Sequence, residues 1–471
     1  MSTSALIENK LSEDILQKVI NFVKQSNYDA YLVGGYVRDI FLYRNSKDID
    51  IVLAKDGLLF AQELAAYLKI KNIAIFKKYG TAQIKTSTHI IEIVNARKES
   101  YMPSSRNPLI APGTLEDDQL RRDFTINALA ISLKTPHALV DPFNGLDDLD
   151  NQLLKTPQDA DITFNDDPLR ILRGVRFASQ LGFRIEPNTL SAMQRNASRL
   201  SIISQERITE ELNKIILSPV PSIGFYLLDE IGVLKQILPE IDLLKGTETI
   251  NGLSHKDNFI HTLEVLDNVA LLSNSLWLRY AALLHDIAKP MTKRFEVGVG
   301  YTFHGHEFKG LKIVAEMFNR LKLPLNEKLR YVQQLVLLHL RPIALTKENI
   351  TDSAIRRLIV DAGDSLEDLL LLCQSDITSK NEVKKEKYLK NLVKVKEKIG
   401  QVNANDELRN WQPCLSGSHI LELVKIEKPQ HIGVLKSKIR EAILDGKIKD
   451  DLPEAINLLK QYALDLGLQL H

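Results

Sequence analysis

The sequence predicts an α+β head followed by a largely all-helical remainder. Short apolar runs of the strand type are concentrated in the first 150 residues, where glycines and charged residues bound them. From about residue 150 onward, apolar residues recur at helical spacing and strand-type runs nearly vanish. With 471 residues, 44% of them hydrophobic, the chain has room for about three domain-sized units with buried cores.

The first strand and the turn after it form a candidate phosphate-binding cradle. The apolar run 31–33 ends at Gly34 and Gly35, and a predicted helix that carries Arg38 follows at once. Paired glycines let the backbone approach a ligand closely, and the N–H groups at a helix start suit a triphosphate. A guanidinium group adds charge-assisted hydrogen bonds. We therefore predict that these three residues bind nucleotide phosphates; the alternative is an ordinary turn.

The second strand offers a metal site. Asp48 and Asp50 are two residues apart, so they share one face of the strand and are suited to hold Mg²⁺. Mg²⁺ ions at this place would activate an attacking hydroxyl and neutralise charge on a leaving pyrophosphate. Glu92, in the strand-like run 90–94, is a candidate third carboxylate. The alternative is an edge strand protected by its charges.

Charged residues further along supply candidate contacts to a sugar and a base. Arg122 and Asp123 precede a β-type run at 124–131, and a carboxylate at this point would accept a hydrogen bond from a ribose 2′-OH. Asp167 and Arg170 are three apart on a predicted helix, so they share a face. As acceptor and donor they match cytosine and adenine, whereas uracil and guanine present the reverse polarity and would be rejected.

Two more arginines continue the same stripe at intervals of three. Arg173 is a candidate contact to phosphates or to the base, with a solvated helix face as the alternative. For Arg176 the sequence favours neither interpretation.

These segments resemble the five motifs of the class II tRNA nucleotidyltransferases, the family of the CCA-adding enzymes and the bacterial poly(A) polymerases. GGYVRD followed by DIDIV resembles the first motif. The remaining motifs resemble, in family order, residues 121–130, 141–149, 165–183 and 204–216. The resemblance implies a polymerase-β-like mixed sheet in a nucleotidyltransferase head, and a ribose-binding role for Arg122 and Asp123. Asp166 stands where the family usually has Glu, which leaves the base-reading pair intact.

The resemblance also suggests a role for a segment rich in Pro, Ser and Asn at residues 102–113. It occupies the position of the flexible loop that CCA-adding relatives use when they switch from C to A addition, and Arg106 is a candidate contact within it. The alternative is a surface loop without a function of its own.

A second group of metal-type residues lies in the helical half, where six of the 11 histidines fall between positions 255 and 339. The candidate ligands are His261, His285, Asp286, His304, His306, His339 and Asp376. The pattern resembles the HD phosphohydrolase superfamily, which implies one or two divalent metals that activate water against a phosphoester. It suggests phosphatase or cyclic phosphodiesterase action on nucleotides or RNA ends; the alternative is a structural module without activity.

Composition limits the location and the partners. The net charge is only +1, so a nucleic acid must be held by local patches, for which the lysine-rich run 380–398 is a candidate. Cys373 and Cys414 have neither metal nor redox spacing, which suits a reducing cytoplasm. Glu8 and Lys10 interrupt the N-terminal apolar residues, and we find neither a secretory signal nor a membrane-spanning apolar run. We expect a cytoplasmic protein.

We therefore expect four parts, namely a nucleotidyltransferase head at 1–150, a helical base- and RNA-binding neck at 151–245, an HD-type metal-binding domain at 246–380 and a helical tail at 381–471. The resemblance implies template-free addition of C and A to the 3′ end of tRNA from CTP and ATP. The alternatives are a specialist that adds only CC or only A, a bacterial poly(A) polymerase, and an HD phosphohydrolase whose head merely binds RNA. The polymerases usually carry an extra basic segment after the DxD strand, and we find none after Leu53.

Overall fold

The computed structural model describes residues 3–77, 80–100, 109–134, 138–250, 253–345, 351–379, 381–406, 411–426 and 428–471. They form two compact units, Met1–Asp242 and Leu243–His471. The division of the sequence into four parts stays a prediction.

A mixed sheet organises the first unit. The strands are β1 (Ala30–Val33), β2 (Asp48–Leu53), β3 (Ile73–Phe76), β4 (Thr81–Lys85), β5 (Ile90–Asn95), β6 (Arg97–Ser100), β7 (Leu109–Pro112), β8 (Ala130–Ser132) and β9 (Leu139–Val140). Seven of them pair in the order β3-β4-β5-β2-β1-β8-β9, while β6 and β7 form a separate hairpin. In the sheet, β2 and β5 run parallel and the other neighbours run antiparallel. The predicted mixed sheet is confirmed.

Helices pack around this sheet and predominate in the remainder of the first unit. They are α1 (Thr3–Leu11), α2 (Asp14–Gln25), α3 (Gly35–Phe41), α4 (Gly57–Tyr67), α5 (Leu115–Leu120), α6 (Gly145–Asp150), α7 (Ala160–Asp166), α8 (Leu169–Leu181), α9 (Pro187–Asn196), α10 (Gln205–Ile216), α11 (Pro221–Glu230), α12 (Leu234–Ile237) and α13 (Pro239–Asp242). Two short strands, β10 (Leu153–Leu154) and β11 (Arg184–Ile185), pair in parallel between them.

Alternation along β2 separates the core from the candidate site. Ile49 and Ile51 are fully buried in the same apolar cluster as Phe60 of α4. Successive side chains of a strand point to opposite faces, so Asp48 and Asp50 face away from this cluster. Packing of the apolar face of β2 therefore fixes the positions of Asp48 and Asp50 on the opposite face of the strand.

The predicted helix that was to carry both base-reading residues is interrupted. Asp167 has φ −136° and ψ 98°, and it lies between α7 and α8, which begins at Leu169. The interruption follows from Pro168, because a proline disfavours helical backbone at the residue before it. Asp167 is thus a junction residue, and the expectation that it shares a helix face with Arg170 is wrong.

The predicted β-type run 124–131 is also shorter than expected. Thr125–Asn127 is a 3₁₀ turn, and the strand covers only Ala130–Ser132. The side chain of Asn127 hydrogen-bonds with Arg38 and Asp123, and these polar contacts hold the chain in a turn before it enters the sheet.

The described part of the second unit is helical apart from two short hairpins, β12 (Thr249–Ile250) with β13 (Leu253–Ser254) and β14 (Arg294–Glu296) with β15 (Gly300–Thr302). Its helices are α14 (Asn258–Leu272), α15 (Leu276–Leu284), α16 (Lys289–Thr292), α17 (His306–Arg320), α18 (Glu327–Leu338), α19 (Leu340–Leu345), α20 (Asp352–Ala362), α21 (Leu366–Asp376), α22 (Glu382–Asp406), α23 (Gly417–Leu423), α24 (Gln430–Leu444) and α25 (Leu452–Asp465). The predicted fold class, an α+β head followed by a largely helical body, is confirmed.

The last three helices have an apolar cluster of their own, which includes Ile420, Leu435 and Leu459. Among the helices of the described residues, none combines the length and the apolar character needed to cross a membrane.

Candidate active site and metal centre

The turn between β1 and α3 can accept only glycine at position 34. Gly34 has φ +74° and ψ −146°, a conformation that is essentially restricted to glycine. A Cβ atom there would lie 2.9 Å from Nη1 of Arg122 and 3.0 Å from Oδ2 of Asp50. The backbone therefore passes directly beside a carboxylate and a guanidinium group, as a phosphate cradle next to a metal site requires.

Among the acidic residues that line one cavity of about 960 Å³, which we call the head cavity, three lie on two neighbouring strands. Asp48 and Asp50 come from β2, and Glu92 lies opposite Asp50 on the parallel strand β5. Burial raises the pKa of Asp50 to about 6, and the charges of Glu92 and Asp48 act in the same direction while Arg122 opposes them. Asp50 is a hard oxygen ligand whose buried charge a cation would stabilise, and with Asp48 and Glu92 on the same two strands the set fits a divalent cation such as Mg²⁺.

The head cavity also gathers the other residues that the sequence predicted for nucleotide binding. Its lining includes Gly34, Gly35, Arg38, Arg122, Asp123, Asp167, Arg170 and Arg173. Arg106, the candidate from the loop, lies outside the described residues.

Asp118 is a residue that the sequence analysis missed. It is fully buried, and its carboxylate accepts hydrogen bonds from Nε and Nη2 of Arg122 at 3.1 and 2.9 Å while also pairing with Arg121. Burial alone would raise its pKa, but the charges of the two arginines outweigh burial and hold it below its ordinary value. The available signal was its spacing, because residues three and four apart on a helix are neighbours.

Asp123 is held inside the protein by two side-chain donors and by the backbone N–H of Phe124. Only 6% of it is exposed, and its carboxylate accepts from Nε of Arg173 at 2.7 Å and from Nδ2 of Asn127 at 2.9 Å. The amide oxygen of Asn127 accepts in turn from Nη1 of Arg38 at 2.8 Å. Burial opposes ionisation, but Arg173 and Asn127 prevail and lower the pKa of Asp123 to about 2. The ribose-type and phosphate-type residues thus share one hydrogen-bond network.

The two predicted base-reading residues differ in their surroundings. The carboxylate of Asp167 is partly exposed and lies 3.8 Å from Nη2 of Arg207. Arg170 is buried, and it donates to the backbone oxygens of Arg121 at 2.6 Å and Thr163 at 3.4 Å. Two of the five N–H groups of Arg170 are thereby engaged, which fixes the plane of its guanidinium group.

Helix α10 contributes lining residues that were not predicted individually, namely Arg207, Glu210, Glu211 and Lys214. The buried carboxylate of Glu211 pairs with Nη1 of Arg176 at 3.0 Å, so this arginine is not part of a solvated face. These positions were detectable in the fifth family-like segment as polar residues at helical spacing.

The second unit brings six of its seven predicted metal-type residues together in a group that we call the histidine cluster: His261, His285, Asp286, His306, His339 and Asp376. Asp286 lies at the centre, with Nε2 of His285 and of His306 each 3.2 Å from its carboxylate. Nε2 of His261 lies 2.9 Å from Asp376. Most of these residues sit at helix ends, which lets five helices reach one point.

Backbone contacts orient the rings toward a cation. The Nδ1 atoms of His285, His306 and His339 each lie 2.7–2.8 Å from a carbonyl oxygen, which can only accept, so each neutral ring carries its proton there. Nε2 is then a lone-pair donor, and the Nε2 atoms of His306 and His339 face each other at 3.4 Å. Burial lowers the pKa of His339 to about 4, which keeps its ring neutral. Burial opposes the charge on His285 as well, but Asp286 and Asp376 prevail and raise its pKa to about 10, so His285 must lose a proton before its Nε2 can bind a cation. Converging lone pairs beside Asp286 fit a metal ion.

His304 does not belong to this group. Its side chain is 84% exposed, and its nearest acidic partner is Glu296 at 3.9 Å. The chain turns at Gly305, whose φ is +76°, so that His306 begins α17 and points inward while His304 stays outside. The prediction that both histidines share a site is wrong for His304, because spacing alone does not reveal this turn.

Three protein-family models match successive segments of the chain. A model described as poly A polymerase head domain matches residues 30–155. A model described as probable RNA and SrmB-binding site of polymerase A matches residues 182–244, and a model of the HD domain matches residues 258–369.

Individual relatives extend the similarity over most of the chain. A CC-adding tRNA nucleotidyltransferase from Thermus thermophilus is 31% identical over 430 residues, which cover 89% of this chain and 91% of the relative. A multifunctional CCA protein from Aliivibrio salmonicida is 34% identical over 362 residues, covering 74% and 84%. A solved structure of a CCA-adding enzyme in complex with ATP has the same fold, with a TM-score of 0.62, 23% identity and coverage of 98% and 99%. The chain therefore belongs to the tRNA nucleotidyltransferase family and is a nucleotidyltransferase with an HD domain.

Proposed function

We propose that the first unit adds C and A to the 3′ end of tRNA from CTP and ATP without a nucleic-acid template. The observation that carries the proposal is the head cavity, in which the Gly34 turn, three carboxylates and several arginines face one space. A cavity with this lining suits a magnesium-bound triphosphate better than an apolar ligand. The name of the relative from Thermus thermophilus supplies the acceptor, tRNA.

The proposal assigns the cation to Asp48 and Asp50, with Glu92 as a supporting carboxylate. Mg²⁺ bound there would supply charge neutralisation for the pyrophosphate and activation of the tRNA 3′-hydroxyl. The N–H groups at the start of α3 and the guanidinium group of Arg38 bind the triphosphate. Arg122, whose Nη1 borders the Gly34 turn, adds a second positive charge beside the cradle.

The sugar and the base are assigned to other residues that line the same cavity. We assign Asp123, with Arg122, to the ribose 2′-OH because both residues line the head cavity and a carboxylate can accept from a hydroxyl. Without a ligand this carboxylate accepts from Arg173, Asn127 and the backbone N–H of Phe124, so the ribose hydroxyl would replace one of these donors. Asp167 accepts from the exocyclic amine of cytosine or adenine, and Arg170 donates to a ring nitrogen. A uracil carbonyl facing Asp167 leaves two acceptors unpaired, which disfavours UTP.

The relatives leave the extent of the addition as the main alternative. The relative that matches the larger share of this chain is named for CC addition, whereas the other is named for CCA. We favour the complete CCA reaction because one edge formed by Asp167 and Arg170 suits both bases. A specialist that adds only CC or only A has the same edge, and a poly(A) polymerase differs in adding A repeatedly.

The test is elongation of three tRNA transcripts that end at the discriminator base, at C and at CC. Each transcript is offered CTP alone, ATP alone, UTP alone, and CTP with ATP. Growth of all three to CCA and no further is expected. Growth that stops at CC identifies a CC-adding enzyme, growth of only the CC transcript identifies an A-adding enzyme, and long A tails identify a polymerase. Elongation by UTP as efficient as by CTP would contradict the assignment of Asp167.

We also propose a phosphohydrolase activity for the second unit, because the histidine cluster has Lys289 at its edge. Nζ of Lys289 lies 2.5 Å from Oδ2 of Asp286 and 5.5 Å from the centroid of the Phe303 ring. The positive charge of Lys289 beside the histidine cluster would attract the phosphate group of a phosphoester. The cluster residues would hold a divalent transition metal, which supplies activated water. The test is metal content by mass spectrometry together with hydrolysis of nucleoside 2′,3′-cyclic phosphates; a protein that binds metal without hydrolysing any phosphoester would reduce the site to a structural role.

The remaining expectations belong to the same proposal. We infer that the neck at 151–245 supports base and RNA binding and that the tail at 381–471 forms a separate part, as its own apolar cluster suggests. A cytoplasmic location follows from the proposed tRNA substrate.

A further inference from the structure

Three guanidinium groups lie close to the ring of Phe177. It belongs to α8, is 5% exposed and packs edge to face against Phe124 at 5.9 Å. The guanidinium carbons of Arg176, Arg38 and Arg173 lie 4.3, 5.2 and 5.5 Å from its centroid. All three distances are within the roughly 6 Å at which a cation is attracted to an aromatic face.

We propose that Phe177 is a positioning residue for nucleotide binding, which holds the arginine of the phosphate cradle and the arginines of α8 in one fixed arrangement. The inference rests on the proposed function of the head cavity and adds to it a residue that touches no reacting atom. An apolar side chain of the same size would fill the same space, but it would lack the negative ring face that attracts the three cations.

Each arginine is tied to a different element, so Phe177 is their common contact. Arg38 donates to Asn127 in the 3₁₀ turn, and Arg173 pairs with Asp123 just before it. Arg176 pairs with Glu211 on α10. The ring thereby connects α3, the 3₁₀ turn and α10 through α8. A shift of the ring would therefore displace arginines of the phosphate-binding and the sugar-binding residues together.

The charges around the ring explain why an aromatic residue is needed. Each of the three guanidinium groups is paired with a carboxylate, namely that of Asp39, Asp123 or Glu211, which reduces but does not remove the repulsion between cations that meet at one ring. The face of the ring lowers the cost of holding them together, and a triphosphate then enters a cavity whose cations are already in place. Loss of the ring face should therefore weaken nucleotide binding more than it slows the chemical step.

The first experiment replaces the ring with an aliphatic side chain. Phe177→Leu should raise the KM for CTP about tenfold, which corresponds to loss of about one cation–π contact at a desolvated site, with a smaller effect on kcat. The matched control is Phe183→Leu. Phe183 is buried to the same degree, at 6% exposure, in the same apolar cluster, and no guanidinium contact to it is found among the described residues. Equal changes in KM for both variants would overturn the inference.

A second experiment remains decisive if the leucine variant fails to fold. Phenylalanine analogues with one, two and three ring fluorines at position 177 keep the shape of the ring and progressively weaken its negative face. We expect the Kd for CTP to rise with each fluorine at constant Tm. A Kd that does not change with fluorination would overturn the positioning role while leaving the proposed function intact. If the wild-type protein binds neither CTP nor ATP, the proposed function fails, and this inference fails with it.

Discussion

The head cavity and the histidine cluster present different atoms to a cation. Asp48, Asp50 and Glu92 offer only carboxylate oxygens at the wall of an open cavity, which suits a hard ion that exchanges with its substrate. The histidine cluster offers four imidazole nitrogens and two carboxylates from buried helix ends, which suits a tightly held transition metal. Under the proposed function the two units would use different metals, and variants in one unit should then leave the chemistry of the other unchanged.

The largest effect is expected at Asp50. The Asp50→Asn variant removes the charge that binds the cation but keeps the shape of the side chain, so tRNA elongation should fall by about 1000-fold or more. Hydrolysis at the histidine cluster should not change. The measurement is single-turnover elongation with CTP at saturating Mg²⁺, alongside hydrolysis of a cyclic nucleotide by the same preparation.

The control for this variant is Asp14→Asn, which changes an exposed carboxylate on α2 that pairs with Lys18. It should elongate tRNA at the wild-type rate. Wild-type elongation by Asp50→Asn would refute the metal assignment, and a parallel loss of hydrolysis would show that the two sites are not independent.

The next effect is expected at Asp286, the centre of the histidine cluster. Asp286→Asn should abolish retention of the transition metal during dialysis and reduce phosphoester hydrolysis more than about 100-fold, because a direct ligand matters more than its outer-shell partners. Elongation of tRNA should stay within about twofold of wild type. Metal content and both activities are measured on one sample.

The matched control for this variant is Asp364→Asn, at an exposed position of the same unit. If Asp286→Asn retains its metal, the ligand assignment is wrong. If it loses elongation as well as hydrolysis, the head does not act alone, and the interpretation of the chain as mainly an HD phosphohydrolase gains support.

The two sites also differ in how far the sequence predicts them. The cradle and the two carboxylates of β2 lie within residues 34–50, so local rules on glycine turns and strand alternation place Gly34, Asp48 and Asp50 correctly on their elements. The histidine cluster depends on contacts between helices far apart in the chain. Residue types identified its members, but spacing could not show that the turn at Gly305 excludes His304.

The supporting contacts of the head were the hardest to predict. For Asp118 the only available signal was its spacing of three and four residues before Arg121 and Arg122. Phe177 contacts arginines of its own helix and of α3, and no local pattern distinguishes it from an ordinary core residue. The break at Asp167 was predictable in principle, because Pro168 follows it.

The smallest expected effect is on stability, and it concerns the buried ion pair of Asp123 and Arg173 in the wall of the head cavity. The folded-state pKa of Asp123, about 2, lies below its ordinary value of 3.8. Ionised Asp123 therefore contributes stability that is fully present above about pH 4 and is lost as the pH falls towards 2. This lowering of the pKa of Asp123 contributes on the order of 2 kcal/mol to the free energy of unfolding.

The Asp123→Asn variant should accordingly be less stable than wild type by about 2 kcal/mol at pH 7 and at pH 5, and by roughly half as much at pH 3. Urea unfolding of both proteins at the three pH values measures this difference, with Asp14→Asn as the exposed control. A difference that persists unchanged to pH 3 would mean that the packing of the side chain at position 123, and not its ionisation, sets the stability of this pair. No corresponding loss is expected in the second unit, so a probe there, such as metal retention by the histidine cluster at pH 7, should be the same for both proteins.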